Sequence, residues 1–197
     1  MLKPFFKNNK WFGLILVVIG LLYPFLVYFG LNNFQPGAVV VLVLIFAGLR
    51  IAFSAPGDHF FRQGLRGIAI FAAIVVLAGF LVESEIAVRV YPVAISLGFA
   101  TVFSYTLFRP PTMIERFAKL KEAVITDAIR RYTHRVTCVW IVFFLCNGSA
   151  SAWTALWGSR EQWMLYNGII SYCLIGSLFG IEFLIRQRVQ ARAQPQG

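Results

Sequence analysis

Arg130-Arg131-Tyr132-Thr133-His134-Arg135-Val136-Thr137-Cys138-Val139-Trp140 opens a stretch that then runs without a charge to Ser159. Three arginines and a histidine crowd the first two turns of a helical pattern, and 24 uncharged residues follow. A bilayer's hydrocarbon core takes about 20 apolar residues in a helix, so this length predicts a membrane span entered through a basic collar. The same span carries an amide at Asn147 and a run of small residues from Gly148 to Ala152. Tryptophans stand at 140, 153 and 157.

The rest of the chain repeats the pattern. Of 197 residues, 59% are hydrophobic and only 13% charged, with a mean hydropathy of +0.74. A soluble domain is about a quarter charged. Apolar runs separated by Pro, Gly and Asn breaks predict an all-α bundle forming a single transmembrane domain over residues 1–197. Its six spans fall at about 11–31, 37–55, 67–82, 90–108, 135–157 and 163–185. Lys3, Lys7 and Lys10 precede the first run in the manner of a signal peptide. That run is span-length and no small-x-small cleavage site follows, so it reads as a retained span with Pro24 inside it. Six spans leave no length for a soluble catalytic domain.

Charge placement predicts the orientation. Lys3, Lys7, Lys10, Arg62, Arg66, Arg109, Arg116, Lys119, Lys121, Arg130, Arg131, Arg135, Arg186, Arg188 and Arg192 fall on one side of the predicted spans. Only Arg89 and Arg160 fall on the other, beside Glu83, Glu85 and Glu161. Fifteen against two places both termini in the cytoplasm of a multi-pass bacterial inner-membrane protein. The net charge of +10 is thereby a topological signal, and nucleic acid is not an expected partner. Trp153, Trp157, Trp163 and Tyr166 are expected at the far interface as an aromatic belt.

Between the fourth and fifth spans, Thr112-Met113-Ile114-Glu115 has the form of a capping box. Met113, Phe117, Leu120 and Val124 recur at helical spacing, with Arg116, Lys119 and Lys121 elsewhere on the turn. This predicts a short amphipathic helix, either lying on the anionic leaflet or packed under the bundle. Thr126 is placed to cap a second helix that continues into span five. Arg131, His134 and Arg135 then form a collar. It serves topology and lipid headgroups, or holds an anionic substrate group.

Within the spans, Asn147 lies at the depth where an antiparallel span six presents Ser171 or Tyr172, and Asn167 lies one turn further out. The ladder reads as an interhelical clasp or as a polar ligand site. Glu182 has Arg186 one turn away and reads as a boundary ion pair. Gly176-x-x-x-Gly180, Ala94-x-x-x-Gly98 and the 148–152 run are expected at close helix contacts. Cys138, Cys146 and Cys173 all lie in spans and only His59 and His134 exist, so no metal site, cofactor or catalytic residue is assigned. The Asp58-His59 pair is a loop acid/base candidate.

Four segments together resemble a family of uncharacterised bacterial inner-membrane proteins. They are Phe108 to Ala118 (FRPPTMIERFA), Arg131 to Trp140 (RYTHRVTCVW), Trp153 to Trp157 (WTALW) and Leu165 to Tyr172 (LYNGIISY). The resemblance covers about residues 105 to 188, and the first four spans are generic. Members of that family are often encoded in aryl-polyene pigment clusters, beside fatty-acid-synthase-like enzymes, and some carry the label "ketosynthase". That label conflicts with the residues. The chemistry needs an activated cysteine with two histidine partners on a large soluble scaffold. The resemblance implies an accessory membrane protein that supports assembly, anchoring or movement of an aryl-polyene or lipid-like acyl product. Membrane lipids are expected partners, with acyl carrier protein or the polyene synthase enzymes at the cytoplasmic face, and an oligomer is allowed. The alternatives are a small lipid or pigment transporter and a membrane-embedded acyl or glycosyl transferase. The candidate ligand or partner residues are Arg131, His134, Arg135, Asn147, Asn167, Ser171, Arg116, Lys119 and Lys121.

Overall fold

The computed structural model describes residues 10–33, 45, 63–64, 66–71, 73–74, 77, 85–119 and 125–193. Among them every assigned element is helical and none is a strand. In chain order these are α1 (Lys10–Asn33), α2 (Glu85–Arg89), α3 (Tyr91–Phe108), α4 (Met113–Ala118), α5 (Asp127–Leu156) and α6 (Arg160–Leu165). A π-helical turn, Tyr166–Ile170, then leads into α7 (Ser171–Ala193). The described residues between 63 and 77 are helical as well. Most of the predicted second span (37–55), the Asp58-His59 pair and Lys121 lie outside the described residues.

Among the described residues, three stretches are long and apolar enough to cross a membrane: Tyr91–Phe108, Asp127–Leu156 and Arg160–Arg188. At about 1.5 Å per residue, the 30 residues of α5 extend roughly 45 Å, enough to cross a ~30 Å hydrocarbon layer and emerge beyond it. The α5 helix starts where expected. Thr126 is its N-cap, accepting from the Ile129 N–H, and Asp127 lies in the first turn against the positive end of the helix dipole. The α1 helix runs on through Pro24.

The α4 helix is held under the bundle, and Leu120 and Val124 of its sequence pattern lie outside the described residues. Its first turn has orphan N–H groups that need acceptors. Three threonines from three places supply them. Met113 N–H donates to the Thr106 hydroxyl at 3.0 Å, Ile114 N–H to Thr137 at 3.5 Å, and Glu115 N–H to Thr112 at 3.4 Å. The Glu115 carboxylate turns to Lys119 Nζ at 3.3 Å. Met113 is buried with Phe103 and Trp140. Of the two expected positions for this helix, the described residues take the packed one.

Apolar packing falls in two clusters. Phe103, Met113 and Trp140 form one at the basic end of α5. Tyr23, Val27, Leu31, Val88, Ala155 and Trp163 form the other toward the opposite end. At that opposite end charges do structural work. Arg89 is 8% exposed, and one of its terminal nitrogens donates to the carbonyls of Thr154 (2.6 Å), Gly158 (2.6 Å) and Ser159 (3.2 Å). A single guanidinium thus caps the C-terminal end of α5. Burial draws Arg89 below its ordinary pKa, and the nearby Glu85 carboxylate opposes that shift. Arg160 grips Glu85 through two bonds, at 3.0 and 2.5 Å, and also donates to Leu31 O and Asn32 Oδ1. The two minority cations of the charge count are therefore committed to a four-way joint of α1, α2, α5 and α6.

Some expectations are corrected. Among the described residues Gly176 and Gly180 mark no close contact, since nothing lies within 4 Å of a Cβ built at either. A Cβ on Gly98 would meet Ile68 at 2.8 Å and one on Gly148 would meet Ser96 at 3.1 Å, so those two small residues do mark close packing. The proposed belt also divides. Trp153 and Trp157 are exposed and packed ring to ring at 4.9 Å. Trp163 is buried, its indole N–H donating to Arg89 O at 2.8 Å, and Tyr166 turns inward.

Arg89→Met keeps the bulk and removes the cap. It should lower the stability of the detergent-purified protein by about 2 kcal/mol, measured by chemical denaturation, because part-buried carbonyls lose a charged donor.

Candidate functional site

The described candidate site is a polar layer between the two apolar clusters. Asn147 lies on α5, seven residues (about 10 Å) beyond Trp140 and eight residues (about 12 Å) before Ala155. Its amide is buried and makes three hydrogen bonds. The Nδ2 group donates to Ser96 Oγ of α3 at 3.2 Å. The Oδ1 atom accepts from the Ser171 hydroxyl at 2.9 Å and the Tyr166 hydroxyl at 3.2 Å. One side chain therefore joins α3, α5 and the helix that returns after the 158–159 turn. A second rung lies one turn further along. Ser151 donates to Asn167 Oδ1 at 2.7 Å, and Asn167 Nδ2 donates to Trp163 O at 3.0 Å and Thr154 Oγ1 at 3.4 Å.

The π-helical turn is what allows the first rung. In an α-helix, residues five apart point about 140° away from each other. Here the Ser171 N–H bonds to Tyr166 O, five residues back, and the widened turn brings both side chains toward one side. Both hydroxyls then reach the same Asn147 oxygen. Gly168 lies within the turn, where a Cβ would meet the Phe25 ring at 2.9 Å, so its lack of a side chain lets α1 approach.

The predicted pairing of Asn147 with Ser171 is present, and Ser171 rather than Tyr172 takes the amide. Asn167 is buried beside Asn147's rung but bonds to Ser151 instead. Ser96, Ser151, Thr154 and Tyr166 complete the layer, and the reading of the sequence missed all four. Serine and threonine in a span commonly bond back to their own helix, so their identity carries little signal. Ser96 had one weak pointer, since it lies between Ala94 and Gly98 in a small-residue run.

The basic candidates divide in two. Arg116 is half-buried and donates from Nε to Pro111 O at 3.1 Å, and Lys119 is tied to Glu115. Arg131, His134 and Arg135 are exposed. Arg130 pairs with Asp127 at 3.6 Å at the surface. His134 has Cys138 Sγ 4.0 Å from its Nδ1. Across from the collar, the Tyr132 hydroxyl donates to the Glu182 backbone carbonyl at 3.1 Å, and Glu182 has Arg186 at 3.8 Å. That Glu182–Arg186 pair is the one expected. Among the described residues no group of three or more His, Cys, Asp or Glu side chains is placed to hold a metal ion.

Among the described residues, the fold and site define an all-helical protein with three helices able to cross a membrane and a polar layer buried between helices. No protein-family model, curated protein or solved structure matches the chain.

Asn147→Ala removes three interhelical bonds at about 0.6 kcal/mol each and should cost about 2 kcal/mol of stability. A double-mutant cycle of Asn147→Ala with Ser171→Ala should return a coupling of roughly 0.6 kcal/mol. A coupling of zero would show that the clasp carries no energy.

Proposed function

We propose that this is a six-span, multi-pass inner-membrane protein with both termini in the cytoplasm. Its role is that of an accessory protein, supporting the assembly and anchoring of a lipid-like acyl product, such as an aryl polyene, at the membrane. The observation that carries the reading is that the polar layer is occupied by its own side chains. Both acceptor positions of the Asn147 carbonyl are taken and its amide nitrogen has a serine. A layer so occupied holds helices together, and a ligand or reacting group would have to break those bonds first. Exposed positive charge is concentrated instead on basic groups at the surface. The 109–119 surface, with Arg109 exposed and the Lys119 amine half-exposed, offers an acidic acyl carrier protein a complementary charge.

A second reading, transport of the product, is favoured by the π-helical turn beside Asn147. Such turns occur frequently at functional sites, and relaxing this one would separate Tyr166 from Ser171 and open the layer.

Two measurements test these readings. In a deletion strain, mass spectrometry of pigment and lipid extracts should show less finished product without one accumulating precursor. Finished product retained in the inner membrane would favour transport, and a single accumulating precursor would indicate an enzyme. Arg109→Glu, Arg116→Glu and Lys121→Glu together should abolish salt-sensitive capture of acyl carrier protein, with Lys119 left in place because it neutralises the buried Glu115. Undiminished capture by this variant would place docking elsewhere.

A further inference from the structure

One face of α5 carries more than a topological signal. Arg131, Arg135, Val139, Val142, Leu145 and Ser149 recur at three to four residues, and all are exposed. The opposite face holds the buried Thr133, Thr137, Trp140, Asn147 and Ser151. The outward stripe is therefore cationic for its first two turns and then apolar through Val139, Val142 and Leu145. Among the described residues neither Arg131 nor Arg135 has an ion-pair partner, unlike Arg130, which has Asp127. The neighbouring charges on α7 are Glu182, already paired with Arg186, and the exposed Arg188. The local balance is strongly positive.

We propose that this stripe is a binding site for an anionic glycerophospholipid of the adjoining leaflet, its phosphate held by Arg131 and Arg135 and one acyl chain lying along Val139 and Val142. The dimensions fit. Ten residues separate Arg135 from Leu145, about 15 Å of helix, which is half of a ~30 Å hydrocarbon core. Two guanidiniums one turn apart suit the several acceptor oxygens of a phosphate diester. A soluble acidic protein would match only the cationic turns, whereas an amphiphile matches both halves of the stripe. The site rests on the reading above that these helices span the membrane with the Arg131 end in the cytoplasm.

The full chain, purified in detergent, is titrated with phosphatidylglycerol and with phosphatidylcholine and read by native mass spectrometry. The intact protein should retain phosphatidylglycerol in preference. Arg131→Gln with Arg135→Gln should weaken that binding roughly thirtyfold, the loss expected for two arginines at an anionic surface. The double lysine variant, which keeps the charge, should retain most of it and controls for folding. Val139→Ser with Val142→Ser should weaken it with the charges intact. Equal retention of both lipids, or unchanged binding by the glutamine pair or by the serine pair, overturns the site. The orientation is read separately from a C-terminal fluorescent-protein fusion, since the Tyr132–Glu182 contact puts the middle of α7 beside the collar and its C-terminal half follows on from there. A dark fusion overturns the orientation while leaving the in-vitro lipid result to stand or fall by itself.

Discussion

An amide buried among apolar helices must have its hydrogen bonds met by protein, because no solvent is there to meet them. Asn147 imposes that condition on this bundle, and the surrounding structure can be followed from it. Its nitrogen needs an acceptor, which fixes the face that α3 presents through Ser96. Its oxygen takes two donors, Tyr166 and Ser171, which requires the returning helix to widen into a π-helical turn. The approach of α3 is made possible by Gly148, and that of α1 by Gly168. The apolar clusters on either side tolerate many packings, but the polar layer tolerates few.

The two ends of the bundle use charge differently. At the Arg89 end, cations are internal fasteners. Arg89 caps the end of α5, and Arg160 ties Glu85 to the end of α1. Positive charge there is spent within the fold. At the Arg131 end, arginines stand on the outside of α5 without ion-pair partners among the described residues.

The junction at α4 illustrates how local and tertiary signals combine. Thr112 as a cap was legible, since a hydroxyl three residues ahead of Glu115 is a local pattern. The other two acceptors, Thr106 and Thr137, come from separate helices and have no sequence signature. Together they seat Met113 against Phe103 and Trp140 and settle which surface this short helix faces. Periodicity could offer both a leaflet and the bundle, because each buries an apolar stripe.

What the sequence determined by itself was whatever depends on composition and on short spacing. That includes the helical class, the start of α5 at Thr126, the pairing of Glu182 with Arg186, and the depth match of Asn147 with Ser171. Each follows from rise per residue or from groups one turn apart. Tertiary structure alone decided that Ser96, Ser151 and Tyr166 join the polar layer, that Arg89 and Arg160 point inward, and that Trp163 is buried while Trp153 and Trp157 are not. The reason is common to all of them. A serine, an arginine or a tryptophan near a helix end can face lipid, water or protein at similar local cost, and only the arrival of a neighbouring helix makes one choice much better than the others.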